Sequence, residues 1–193
     1  MPPLAYLRTD TIDDAVSSFE LALMFYERAQ EDDRFWKWFV TAAHSGVQGT
    51  FALALQGTDG LQVQKPGVAK QTLAAFEAQA TPPAPHMDNF QRLHRKLWQA
   101  GTLRPQANHP LPDCAAQEEA VAGLDELRDE FLHFNTKSWS VEKSLIELRA
   151  RVCARVARFL LLESDAVRIY EPIDRERAHT AISHLAERLR VDA

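Results

Sequence analysis

Cysteine is nearly missing from this sequence: Cys114 and Cys153 are the two in a chain of 193 residues. Two cannot build a disulfide framework, and neither sits in a CxxC or Cys/His spacing that would hold structural zinc. They fit reduced, inert thiols, and a cytoplasmic location is expected. Long apolar runs are also missing. Phe159-Leu160-Leu161-Leu162 falls far short of the roughly 20 residues that a membrane span needs. The opening residues, MPPLAYLRTDTIDD, show no basic start followed by an apolar stretch, so no signal peptide and no membrane association are expected. A net charge of −5 lacks the basic excess of a protein that coats DNA indiscriminately. It leaves room for a local basic groove. There is no phosphate loop, dinucleotide fingerprint or Gly-x-Ser-x-Gly elbow, and no alternating pattern long enough to mark a strand.

What is present is helical periodicity between proline breaks. Hydrophobic residues make up 46% of the chain, enough for a core that needs no staple. Pro82, Pro83 and Pro85, then Pro105, Pro110 and Pro112, bracket a loop-rich insertion around 79–113. Helix one is expected from Ile12 to Gln30, with Thr11 and Asp14 as a variant capping box and Val16, Phe19, Leu23 and Tyr26 on one face. Helix two is expected from Asp33 to Leu55, with Trp36, Val40, Ala43, Val47, Thr50 and Ala54 as its stripe. Gly46 and Gly49 cost helix propensity there, which points to close backbone packing. Shorter helices are expected near Val68–Ala78 and Asp88–Gln99.

Helix five is expected from an Asp113 cap to Phe134, burying Val121, Leu124, Leu127, Phe131 and Phe134. Ser140 is the expected cap of helix six, which would run to Glu163 with Leu145, Leu148, Val152, Val156 and Phe159 inward. A last helix follows Asp174. The expected class is all-α: one domain over 1–193, an antiparallel bundle of about five to seven helices.

One segment has residue types that suit phosphoryl chemistry. Arg128-Asp129-Glu130-Phe131-Leu132-His133 closes helix five, followed by Phe134, Asn135, Lys137 and Trp139. Two other Arg/His pairs have similar spacing. Arg104/His109 lies in a proline-flanked loop, and Arg177/His184 lies on the last helix as an ordinary surface pair. Arg128/His133 alone sits at a helix end beside an aromatic and basic turn. Cleaving RNA without a metal needs a base for the 2′-hydroxyl proton. Histidine is the residue type whose ordinary pKa lies near neutrality. It also needs a fixed cation, and guanidinium matches phosphate oxygens bidentately. Five residues along a helix turn through ~500°, leaving the two side chains ~140° apart and ~7.5 Å apart along the axis. Either the helix ends between them, or a two-fold dimer brings two copies together.

This pattern resembles the signature of the HEPN superfamily: arginine, a polar residue, three more residues, then histidine at a helix end in a compact all-α domain. The string from Arg128 through Trp139, with Trp38 to Leu55 of helix two, resembles uncharacterised bacterial members. The resemblance covers helices one, two, five and six. It implies a HEPN-like fold and a metal-independent endoribonuclease of toxin or defence type, with a composite site across a homodimer. His133 would be the acid/base and Arg128 the phosphate clamp, yielding 2′,3′-cyclic phosphate and 5′-hydroxyl ends. Asp129, Asn135, Lys137, Trp139 and His44 are candidate binding residues. RNA or a nucleotide, a second copy of the chain and a protein antitoxin are the implied partners, with no cofactor and no metal. Some members carry tyrosine two residues after the histidine, as an AMPylation acceptor. Here that position is Asn135, so that regulation is not expected.

Each residue also has a plainer reading. Arg128 can be a partly buried arginine paired with Glu126 or Asp129, and His133 a helix C-terminal histidine favoured by the dipole. Trp139 can plug a corner between helices. His44, on the Val40/Val47/Phe51 side of helix two, can be a hydrogen-bonded core histidine. Asp59 reads as a turn residue. Arg151, Arg155 and Arg158 read as a solvated face or an RNA path. Glu20 and Glu27 lack the Glu-x-x-His partner of a di-metal site. Three readings therefore stand: a ribonuclease, a catalytically inactive module binding nucleotide, RNA or protein, and a structural protein in which the pair is coincidental.

Overall fold

A computed structural model describes residues 6–99, 114–133 and 138–189. Among these the only regular secondary structure is helical, with no strand beyond an isolated bridge between Gln64 and Met87. The helices are α1 (Thr11–Ala29), α2 (Trp36–Leu55), α3 (Pro66–Glu77), α4 (Phe90–Leu97), α5 (Cys114–Leu132), α6 (Lys143–Arg158) and α7 (Pro172–Arg188). A 3₁₀ turn, Asp33–Phe35, leads into α2, and a π turn, Phe159–Glu163, extends α6. The all-α expectation holds. The expected Asp113 cap lies outside the described residues.

The α1–α2 pair is the centre of the bundle. A Cβ built on Gly49 would lie 3.0 Å from the Ala15 Cβ, and one on Gly46 would lie 2.9 Å from Phe19 Cε1. The two glycines therefore let the helices touch where any side chain would collide, as their low propensity suggested. Tyr26 meets Trp36 and Phe39 at ring distances of 5.9 and 5.3 Å. As α1 advances from Ala15 to Tyr26 its partners on α2 recede from Gly49 to Trp36, so the pair is antiparallel. α7 instead runs parallel to α1. Near its start, Arg177 reaches Asp13 at 2.7 Å and Glu20 at 2.9 Å. Near its end, Arg188 reaches Glu27 at 3.4 Å. Glu20 and Glu27 are thus partners of α7's arginines.

Three local details differ from the sequence expectation. The α1 N-cap is Asp10, whose Oδ1 accepts from Ile12 N and Asp13 N at 2.9 Å each. Asp14 accepts instead from the Thr9 hydroxyl at 2.7 Å, so Thr11 and Asp14 form no capping box. α6 starts at Lys143 rather than from a Ser140 cap, and Glu142 at its N-cap position makes no side-chain cap bond. The inward face of α6 is Ile146, Ala150, Cys153, Ala154 and Ala157, while Leu148 is exposed and Leu145 half-buried. Small residues on that face admit the neighbouring helices closely, so the larger leucines turn outward. Val156 and Phe159 are buried as expected.

The stretch read as a loop-rich insertion contains α4 in its described part. Phe90, Leu93 and Leu97 are fully buried against α2 and α5. Lys96 fixes the approach to it: its ammonium donates to Gln62 O at 2.9 Å and Gln64 O at 2.7 Å, and pairs with buried Asp88 at 2.9 Å. In the preceding turn, Asp59 Oδ1 accepts from Leu61 N at 3.0 Å, the turn role expected of it.

Candidate functional site

The C-terminal half of α5 carries the site, and its inner face sets the geometry. Val121, Leu124 and Leu127 are buried and lock the helix on the core. That register turns Asp125 toward α2 and α4, and places Arg128 on the edge of the same interface. Asp125 is the hub. Its Oδ1 lies 2.9 Å from His44 Nε2 and accepts from Arg128 Nη2 at 3.1 Å. Its Oδ2 accepts from Gln91 Nε2 at 3.1 Å.

His44 is the buried member, 3% exposed and packed at a tilt against Phe90 with ring centres 4.1 Å apart. Burial pushes its pKa below the ordinary histidine value, outweighing the hydrogen bond to Asp125. The imidazole is therefore neutral at neutral pH. A carboxylate can only accept, so Nε2 bears the proton and donates it to Asp125. Burial alone would raise the Asp125 carboxyl. Hydrogen bonds from His44 and Gln91, with the charge of Arg128, hold it below the ordinary range.

Arg128 has a 27% exposed side chain and lies between two carboxylates. Besides Asp125, its Nη1 sits 2.6 Å from Asp129 Oδ1, a close ion pair off hydrogen-bond alignment. His133 Nε2 lies 3.9 Å from that same Asp129 oxygen. α5 ends at Leu132, and His133 N donates to Asp129 O at 2.8 Å as the chain leaves the helix. The helix thus ends between Arg128 and His133, and both face one carboxylate despite their angular separation. The His133 side chain is 70% exposed.

Trp139 is half-exposed and packs edge-on against Phe131, with ring centres 4.9 Å apart. It joins the end of α5 to the segment before α6 through that ring contact. Asn135 and Lys137 lie outside the described residues, as do Phe134 and the Arg104/His109 pair. His44, Arg128, Asp129 and His133 are therefore linked in one row, with Trp139 nearby through Phe131. Arg177 is engaged with α1, and its helix-mate His184 is exposed. Arg158 pairs with Glu163 at 3.3 Å. Among the described residues no group of three or more His, Cys, Asp or Glu is placed to hold a metal ion.

Sequence reasoning missed the residues that organise this row, Asp125 and Gln91. One signal was available for Asp125: it precedes Arg128 by three residues, the spacing at which an acid and a base meet on a helix. Gln91 carried none. No family model, curated protein or solved structure matches the chain. No helix of the described residues is long and apolar enough to cross a membrane.

Proposed function

We propose that this chain is a HEPN-like, dimeric, metal-independent endoribonuclease acting at the end of α5. The observation that supports it is the meeting of Arg128 and His133 at Asp129, with the imidazole open to a substrate. In this reading His133 takes the 2′-hydroxyl proton as O2′ bonds to phosphorus. The P–O5′ bond breaks, and O5′ leaves with a proton from the second protomer's imidazolium. Arg128 stabilises the charge on the phosphoryl oxygens. Asp129 orients the imidazole, and the Asp125–His44–Gln91 cluster holds Arg128 from behind. A toxin or defence effector, with a protein antitoxin as partner, belongs to the same reading.

A second reading is favoured by one feature: Arg128 already has two carboxylates, so a phosphate must compete with Asp129 for it. In that reading the row binds RNA, a nucleotide or a protein without turnover. Incubating RNA with the protein and excess chelator separates the two. Products ending in 2′,3′-cyclic phosphate and 5′-hydroxyl support the ribonuclease. Intact RNA with folded, dimeric protein supports the binding module.

A further inference from the structure

A second buried histidine lies outside the row described above. His94, on α4, is 1% exposed. Its ring meets Phe51 of α2 at 5.6 Å and Trp98 edge-on at 6.0 Å. Trp98 is the C-cap residue of α4 and is half-buried. Its Nε1–H donates to His94 Nε2 at 3.1 Å. An indole N–H can only donate, so Nε2 is the unprotonated nitrogen of a neutral ring. Gln117 of α5, itself buried, places Oε1 3.4 Å from the same nitrogen. One nitrogen thus stands between a donor and an acceptor, and its proton decides which of the two it can bond.

We propose that His94 is a pH-operated latch on the end of α4: Nε2 holds the Trp98 indole when bare, and donates to Gln117 and releases the indole when protonated. Protonation sets two N–H donors against each other, and a buried donor without an acceptor is destabilising. The imidazole is confined between Phe51 and Gln117. The indole is half-buried at the helix end and is the partner that can turn to water. Each arrangement gives Nε2 one hydrogen bond, so a single proton selects between them. Among the described residues, Glu118 of α5 favours the imidazolium and Arg95 of α4 opposes it, the two pairing at 4.0 Å. From α2 the uncharged Phe51 ring faces it. Burial outweighs the hydrogen bond to Gln117 and holds the His94 pKa below the ordinary histidine value. The latch therefore opens on acidification, below about pH 6.5. α4 also carries Gln91, the partner of Asp125, so the latch sits on the helix that backs Arg128. Its operation does not depend on the proposed ribonuclease activity.

The test follows the indole N–H signals of the full chain, labelled with ¹⁵N-tryptophan, by NMR as pH falls from neutrality. Far-UV circular dichroism of the same samples records global unfolding, and Trp98→Phe identifies the Trp98 signal. That signal is expected to move toward the position of a water-exposed indole along a single titration curve while the helices remain intact. The Trp36 signal, from a ring buried elsewhere in the core, should stay in place. His94→Gln has no titrating ring and should make the Trp98 signal independent of pH. Gln117→Glu gives the imidazolium a charged acceptor and should raise the midpoint by about one pH unit or more. A Trp98 signal that holds its position until the helices are lost overturns the latch. So does one that titrates unchanged in folded His94→Gln, or whose midpoint stays put in folded Gln117→Glu.

Discussion

His44 and Asp125 meet across the α2–α5 interface at 2.9 Å, a buried neutral imidazole donating to a carboxylate that also holds Arg128. This pair couples the core to the exposed end of α5, and it has a signature in pH.

Both members destabilise the fold on acidification. The His44 pKa is lowered in the folded state, so below about pH 6.5 the unfolded chain takes up a proton that the folded chain refuses. The Asp125 pKa is also lowered, so its contribution is present above about pH 3.9 and is lost as pH falls through its folded value. The melting temperature should therefore fall as pH drops below 6.5, and fall again below 4. Asp125→Asn should cost about 1–3 kcal/mol at pH 7 by leaving a buried network half-satisfied, and should flatten the arm below pH 4. Thermal melts from pH 3 to 8 check this. A variant as stable as wild type at pH 7 would show that the pair does not tie α2 to α5.

In the proposed function, Asp129, paired with Arg128 at 2.6 Å, is the carboxylate that a phosphate would displace. Asp129→Asn should strengthen RNA binding and steepen its salt dependence by about one unit of log K against log salt, the effect of one more phosphate contact. A salt titration with an uncleavable oligonucleotide reads both quantities. If affinity and slope stay where they are, Asp129 does not restrain Arg128.

At Gly46 the contact with Phe19 leaves no room for a methyl group. Gly46→Ala should lose about 1 kcal/mol net, because overpacking outweighs the gain in helix propensity. In a domain of this size that lowers the melting temperature by about 2–4 °C. Gly67→Ala, in the first turn of α3 with nothing within 4 Å of its Cβ position, should be neutral or slightly stabilising. Equal effects at the two positions would refute close approach of α1 and α2.

Much of this architecture was legible in the sequence because helical periodicity survives in a single chain. The α2 stripe from Trp36 to Thr50 and the α5 face through Leu127 lie where spacing puts them. Gly46 and Gly49 announced the close contact. The α6 face was misread because residue size was weighed above packing, and there alanines and Cys153 do the packing. The Asp10 cap was missed because Thr11 and Asp14 imitate a capping box one residue later. At the site, periodicity placed Arg128 on α5 and His44 on the core side of α2, and put His133 in a helix that in fact ends one residue earlier, at Leu132. It said nothing of Asp125 and Gln91, because the contact that makes them matter joins positions 44, 91 and 125, which only the tertiary fold brings together.

The central claim is that the exposed imidazole at the end of α5 cuts RNA. The most direct test compares the cleavage rate of wild type and His133→Ala on labelled single-stranded RNA with excess chelator. Both proteins should melt at nearly the same temperature, since the His133 side chain is largely exposed. The account predicts cleavage by wild type that chelator leaves intact, with a loss of at least about a hundredfold in the variant, the contribution of one general base. Equal rates in the two proteins, or a folded dimeric wild type that leaves RNA uncut, would contradict it.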